Sequence, residues 1–480
     1  MYATLRHILS IVILSVSIPS TVWAHAGERG FVMLLPAHLF IIGGTAVVAL
    51  TFVIALAVPS LRGIDKVVRS WELFKWRGNL VLLVPSYLSL AFLIILIVAG
   101  HSGSTDPLAN PLPMVTWSLL WIGLVFTHVL LGNVWVFINP WRAIDHLLGL
   151  LSPRAKSEPA PILKYPMAFG YWPAVALLIM LVWFENVSPS PQDPELLANV
   201  ATGYLVLTII GMRLFGRKIW LEHVEILSVY FRMVSWLAPV KWTVDEFNGG
   251  PARGCASINW PCAQLITLKP LTVSRTAFVL SALAAVSFDG FSHTFRWLGL
   301  VGANPLEYPG RTDLIPFNTA GLIGACIALI LAYWGAVALG YPRDRQVTNE
   351  TRLGGKLAIS MVSIAFAYHV AHYLPAFLVE AQYAVRAASD PFNVGWDLFG
   401  TAHMHIKDSL RTHHLYIELI WYAQVAAIVI GHVAAILVAH IIALREVKAG
   451  SAPAYRQIPL TVLMVAYTFL GLWLLSAPAV

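Results

Sequence analysis

A chain of 480 residues that is 58% hydrophobic and only 11% charged, against about 25% charged residues in an average soluble domain, carries more apolar surface than a water-soluble fold of this length can hide. The formal net charge of +7 comes from Lys and Arg scattered through short segments, which argues against a nucleic-acid partner and for an orientation signal in a membrane. Three cysteines supply no disulfide framework, and the gap between Cys255 and Cys262 is too wide for a zinc knuckle.

Residues 1–24 carry Arg6 and His7, an apolar run from Ile8 to Ile18, the helix-breaking Pro19 and then Val22-Trp23-Ala24. This order is that of a cleavable signal peptide, and the run is short for an anchor helix. Cleavage after Ala24 makes His25 the mature N-terminus. Residues 25–480 then read as a single all-α domain, a polytopic transmembrane helical bundle of about ten spans. Their expected positions are near 37–57, 80–99, 115–137, 167–187, 196–215, 274–300, 317–340, 357–380, 415–443 and 457–476, each long enough for a hydrocarbon core of about 30 Å. Between the fifth and sixth, Trp220, Leu221, Val224, Leu227, Tyr230, Phe231 and Trp236 alternate with Glu222, His223, Glu225 and Arg232. That mixture predicts an amphipathic helix near 219–238 lying in the membrane interface, followed by a Gly- and Pro-containing loop from Asn248 to Pro261.

Orientation follows from charge. The loops after odd-numbered spans hold 22 Lys and Arg and the other external segments hold five, Arg29, Arg311, Arg386, Lys407 and Arg411. By the positive-inside rule the basic loops are cytoplasmic. An even number of spans then leaves both termini periplasmic, in a bacterial inner membrane.

Ionisable groups inside a bilayer are costly unless they face the bundle interior, so each is a site candidate. The sixth span carries Asp289 and His293 one turn apart, and the eighth carries His369 and His372 about 60° apart on one face. Span one opens with His38, span four ends with Glu185, and span nine begins with Glu418, followed by Tyr422, Gln424, His432 and His440. Apart from His128, His432 and His440, these groups fall in the outer half of the membrane. Imidazoles with carboxylates are the ligands of a divalent metal such as zinc or copper. The expected ligands are His369, His372 and His293, with His25 and His38 in reserve; Asp289 is a ligand or its partner and Glu418 the general base. Each pair also has a plain structural reading, as buried polar groups bonded to each other to hold two helices together.

Several stretches carry a family resemblance. They are Ala24-His25-Ala26-Gly27, Asn139-Pro140-Trp141-Arg142, Ser287-Phe288-Asp289-Gly290-Phe291, Ala371-His372-Tyr373, Ser389-Asp390-Pro391, Asp397-Leu398-Phe399-Gly400-Thr401-Ala402, Trp421-Tyr422 with Gln424, Gly431-His432-Val433-Ala434 and Gly471-Leu472-Trp473-Leu474-Leu475-Ser476. Over essentially its whole length the chain resembles bacterial integral membrane proteins known as fenitrothion hydrolase or its subunits. The resemblance implies hydrolysis of organophosphorus triesters, small apolar esters, by a membrane-bound enzyme that works with a related membrane subunit. A metal-bound water at a periplasm-facing His and acid site would suit that chemistry. Two other readings stay open: a metal-ion or proton transporter, and a non-catalytic subunit of a membrane complex.

Overall fold

A computed structural model describes residues 37–57, 67–150, 161–246, 251–304, 311–341, 350–407, 409–446 and 454–477. The expected signal peptide and His25 lie outside them. The described chain from Ala37 onward is one compact helical unit. Among the described residues, eight helices are long and apolar enough to cross a membrane, and the protein is a multi-pass helical bundle.

In chain order, α1 (Ala37–Leu56) precedes a strand β1 (Trp71–Arg77) and α2 (Leu80–Ser102). The third span, α3 (Pro111–Leu131), is started by Asn110, whose side chain accepts from Leu112 N–H, with Pro111 in the first turn where its missing donor costs nothing. Its middle, Val115–Gly123, is wound as a π-helix, and it stops at Gly132, whose φ of +79° suits only glycine. A short amphipathic helix α4 (Trp141–Leu150) leads to α5 (Trp172–Asn186) and α6 (Pro194–Phe215). Asp193 starts α6 by accepting from Leu196 N–H.

The segment expected to lie in the interface is two helices, α7 (Arg217–His223) and α8 (Ile226–Val234), and α8 is buried along nearly all its length. Its polar residues are spent inside the protein. Glu225 accepts from Leu227 and Ser228 N–H and from the Tyr204 hydroxyl, the Ser228 hydroxyl accepts from Trp135 Nε1, and Arg232 donates to the Glu222 carbonyl. The stretch expected to be loop contains a strand, β3 (Arg253–Ile258), which with β2 (Val240–Asp245) just before that stretch and with β1 forms an antiparallel sheet of order β1-β3-β2. The register puts Lys75 opposite Cys255 and Thr243 opposite the same residue on the other side.

The long helices that follow are α9 (Val273–Ser292), α10 (Arg311–Gly340), α11 (Met361–Ser389), α12 (His414–Glu446) and α13 (Ile458–Ser476). The helices α5 and α9 take the places of the expected fourth and sixth spans. The first is only 15 residues long. The second is 20 residues, 16 of them buried, because it packs against protein on all sides and carries serines, threonine and Asp289 in place of a lipid-facing apolar surface. Lipid tails are as apolar as leucine, so helices associate in a bilayer through close packing and internal hydrogen bonds. Gly431 of α12 lies where a Cβ would sit 2.3 Å from Ala367 Cβ, and Gly471 of α13 where it would meet the Tyr368 hydroxyl at 2.4 Å. Both small residues let their helices close onto α11.

Loops that the charge pattern puts on one side do meet. The β-sheet joins the segments after the first and fifth spans, and beside it Arg142, from the segment after α3, makes a bidentate contact with Glu246 at 2.9 and 3.2 Å. Arg217 adds contacts at 3.4 Å to Glu246 and 3.0 Å to Asp145. Burial alone would raise the Glu246 carboxyl, but the Arg142 hydrogen bond and the charges of Arg217 and Arg142 outweigh it and hold the group below its ordinary value.

Candidate functional site

The helices α9 and α11 start together, tied by the Leu271 N–H to Gly355 carbonyl bond of 3.0 Å, and run side by side away from the sheet. About 24 Å along α9, at 1.5 Å per residue, Asp289 meets α11. His372 Nε2 donates to Asp289 Oδ2 at 2.6 Å, and His293 Nδ1 stands 3.6 Å from Oδ1. The carboxylate is buried at 6% side-chain exposure, while His372 and His293 retain 31% and 48%. The pair therefore has a protein side and an open side. His293 also donates Nδ1–H to the Asp289 carbonyl at 2.9 Å, which fixes its ring and leaves Nε2 outward. The other nitrogen of His372 lies over Gly290, where an added Cβ would stand 3.7 Å from Nδ1 and 3.9 Å from Leu474. Gly290 keeps that nitrogen uncovered.

His369, one turn before His372, points elsewhere. It is fully buried among Trp121, Phe126, Tyr230 and Tyr373, with Nδ1 3.4 Å from the Tyr230 hydroxyl. Trp121 comes from the π-wound middle of α3 and stacks on Tyr230 with ring centroids 5.4 Å apart. Next to this cage the Tyr373 hydroxyl donates to Glu185 Oε1 at 3.0 Å. A π-turn is often found at functional positions, and here it presents Trp121 to the imidazole. The involvement of Trp121, Tyr230 and Tyr373 was invisible in the sequence; the cue available was the adjacency of Tyr373 to His372.

The structure thus brings Asp289, His372 and His293 together and puts His369 in a separate, buried aromatic cage. Glu418 and His38 belong to a different pair of helices, α12 and α1, which meet where Phe40 packs on Trp421 and Tyr422. His38 is exposed, and Glu418 accepts from the Tyr422 hydroxyl at 2.7 Å on its own helix. Among the described residues no three His, Cys, Asp or Glu side chains are arranged to hold a metal ion. The two imidazoles direct their facing nitrogens at Asp289 instead of at a shared point, so the set as it stands does not fit a zinc or copper site.

Of the deeper histidines only His128 has partners on both ring nitrogens; among the described residues, Nε2 of His432 and of His440 is buried without a hydrogen-bond partner. His128 spans the end of α3, with Nδ1 bonded to the Leu124 carbonyl at 2.6 Å and Nε2 accepting from Trp135 N–H at 3.0 Å. His432 bonds the Ile428 carbonyl of its own helix at 2.8 Å, and His440 the Gln457 amide oxygen at 3.0 Å. Gln424 donates to the Ala371 carbonyl at 2.5 Å, pinning α12 to α11 beside the dyad.

The loop after α11 is ordered by its own acids. Asp397 accepts from Ser389 and from Ala402 N–H at 2.8 and 2.9 Å, and those bonds hold its carboxyl below the usual range. Asp390 accepts from the Val394 and Gly395 amides. These acids shape a loop; they do not reach the dyad through any of these bonds. No protein-family model matches the chain, and neither a curated protein nor a solved structure matches it.

Proposed function

We propose that the protein is a membrane hydrolase for small apolar phosphotriesters, with Asp289 and His372 as its acid–base dyad. The 2.6 Å contact between a buried carboxylate and a partly exposed imidazole carries the reading. Asp289 fixes the tautomer with hydrogen on Nε2, so Nδ1 is the basic nitrogen, and it faces the open side over Gly290. A water beside Nδ1 gives up a proton to it as its oxygen bonds to phosphorus; the P–O bond to the aryl group breaks, and the aryloxide leaves. The resulting imidazolium is stabilised by the Asp289 carboxylate, then returns its proton to the aryloxide, so that triester and water become phosphodiester and phenol. His293, whose Nδ1–H is committed to the Asp289 carbonyl, presents Nε2 as an acceptor and is placed to take a hydrogen bond from the attacking water. The resemblance to fenitrothion hydrolases supports the substrate class. The excess of basic residues in alternate loops supports an inner-membrane location with both termini, and the dyad's open end, on the periplasmic side.

The test is release of nitrophenol from an aryl phosphotriester by the purified chain, assayed alone and with a co-purifying membrane subunit. Asp289→Asn and His372→Gln should each lower kcat/KM by on the order of 10²-fold or more while eluting as folded protein. Rates that match the parent in both variants, or an inert parent in both preparations, would remove the basis for the reading.

A further inference from the structure

The structure assigns an interfacial anchor to strand β1, which we propose rests its underside on the lipid of the membrane that the bundle spans. The strand is one of the two edges of the sheet. Its pairing with β3, with the irregularity between Glu72 and Phe74, places Trp71, Phe74 and Trp76 on the face shared with Ala256 and Gly254. Lys75 and Arg77 lie on the face shared with Cys255 and Arg253. The first face is the one turned to the helices: Trp76 is 6.1 Å from Phe137, and Phe74 is 6.0 Å from Trp242, whose Nε1 donates to the Leu131 carbonyl at the end of α3.

Ala256 on that face is fully buried, yet Trp71 and Phe74 remain 42% and 52% exposed. The edge strand overhangs the helix ends, and its aromatic underside looks along the bundle wall. Three residues after β1 the chain enters α2, where Leu80 is 73% exposed and Val84 and Leu88 are exposed on the same helix. The apolar underside of β1 is therefore continuous with a lipid-facing wall. Aromatic rings sit preferentially at the level of the headgroups, and cationic chains beside them meet acidic phosphates there. Arg77 and the exposed Arg69 supply that charge, Lys75 being paired with Glu72 at 2.8 Å. A water-facing strand would gain nothing from this row of rings.

The test uses the full chain in liposomes of phosphatidylethanolamine and phosphatidylglycerol, with the native cysteines replaced by serine and single spin labels placed through Trp71→Cys, Phe74→Cys, Lys75→Cys and Arg77→Cys. Labels at 71 and 74 should respond to oxygen, which concentrates in lipid, several-fold more than to a water-soluble nickel chelate, and labels at 75 and 77 should show the reverse. Equal nickel access at all four positions overturns the proposal. Shielding of 71 and 74 from both reagents also overturns it, and means that protein covers the strand. The unmodified chain gives an independent reading: a phospholipid carrying a photoreactive group near its headgroup should label the peptide containing Trp71–Arg77, and absence of that label counts against the anchor.

Discussion

Replacing Glu246 by Gln tests whether the ion cluster beside the sheet locks the basic loops together. The carboxylate receives two parallel bonds from Arg142 and further contact from Arg217, with side-chain exposures of only 15%, 7% and 12% for the three groups. Breaking a buried pair by removing one partner costs about 3–5 kcal/mol. Two contacts survive, Arg142 to the Val136 carbonyl at 2.7 Å and Arg217 to Asp145 at 3.0 Å, which places the expected loss near the lower end, about 3 kcal/mol. The assay is the unfolding midpoint of the purified chain in detergent, read against Glu72→Gln. That residue is in the exposed pair with Lys75 (53% and 69% exposed), and its replacement should leave the midpoint unchanged. Arg142→Met combined with Glu246→Met should recover part of the loss, since no buried charge is then left alone at that contact. A Glu246→Gln protein as stable as Glu72→Gln would refute the argument.

Three further outcomes follow from the same contacts. Because Glu246 is held below the 4.5 of a free carboxyl, its share of stability is fully present above that pH and is lost as pH falls through the lowered folded value; the parent should show an acid-induced loss that Glu246→Gln lacks. Gly290→Val should cover His372 Nδ1 without disturbing its bond to Asp289, cutting triester turnover tenfold or more at an unchanged unfolding midpoint; an unaffected rate would mean that the open face of the dyad is not where chemistry occurs. Gly471→Ala drives a methyl into the Tyr368 hydroxyl, and overpacking of this kind costs about 1–3 kcal/mol, measurable as a lower midpoint with turnover per folded molecule retained.

The spans were legible because a run of about twenty apolar residues has few alternatives in lipid. The sheet was not, since β1 and β3 are far apart in the sequence and each is a short strand whose pattern also fits a basic loop. The α8 stretch misled for a physical reason: an amphipathic pattern says that a helix has a polar face, not that the face meets water. Here the face meets Tyr204, Trp135 and backbone groups inside the bundle. Several stretches that carry the family resemblance also prove to be building material. Asn139 and Arg142 fix the segment that follows α3, the Asn139 carbonyl accepting from Ser86 of α2 at 2.6 Å and Arg142 donating to the Val136 carbonyl, and Asp390 and Asp397 shape a loop.

The candidate site shows where depth along a helix stops being informative. Asp289 and His293 were expected together from their one-turn spacing and His372 from its depth, and the three meet. His369 shares that depth and sits only about 60° around the helix from His372, yet it is buried among other partners. On a helix packed along one stripe, such an offset leaves two side chains on the same surface. The helix carrying these two is surrounded: 78% of the residues in its most apolar stretch are buried, with α9 on one flank and α3 and α8 on another. A rotation of one sixth of a turn therefore crosses from one neighbour to the next, and two imidazoles that a helical wheel puts side by side acquire different partners, a carboxylate for one and an aromatic cage for the other.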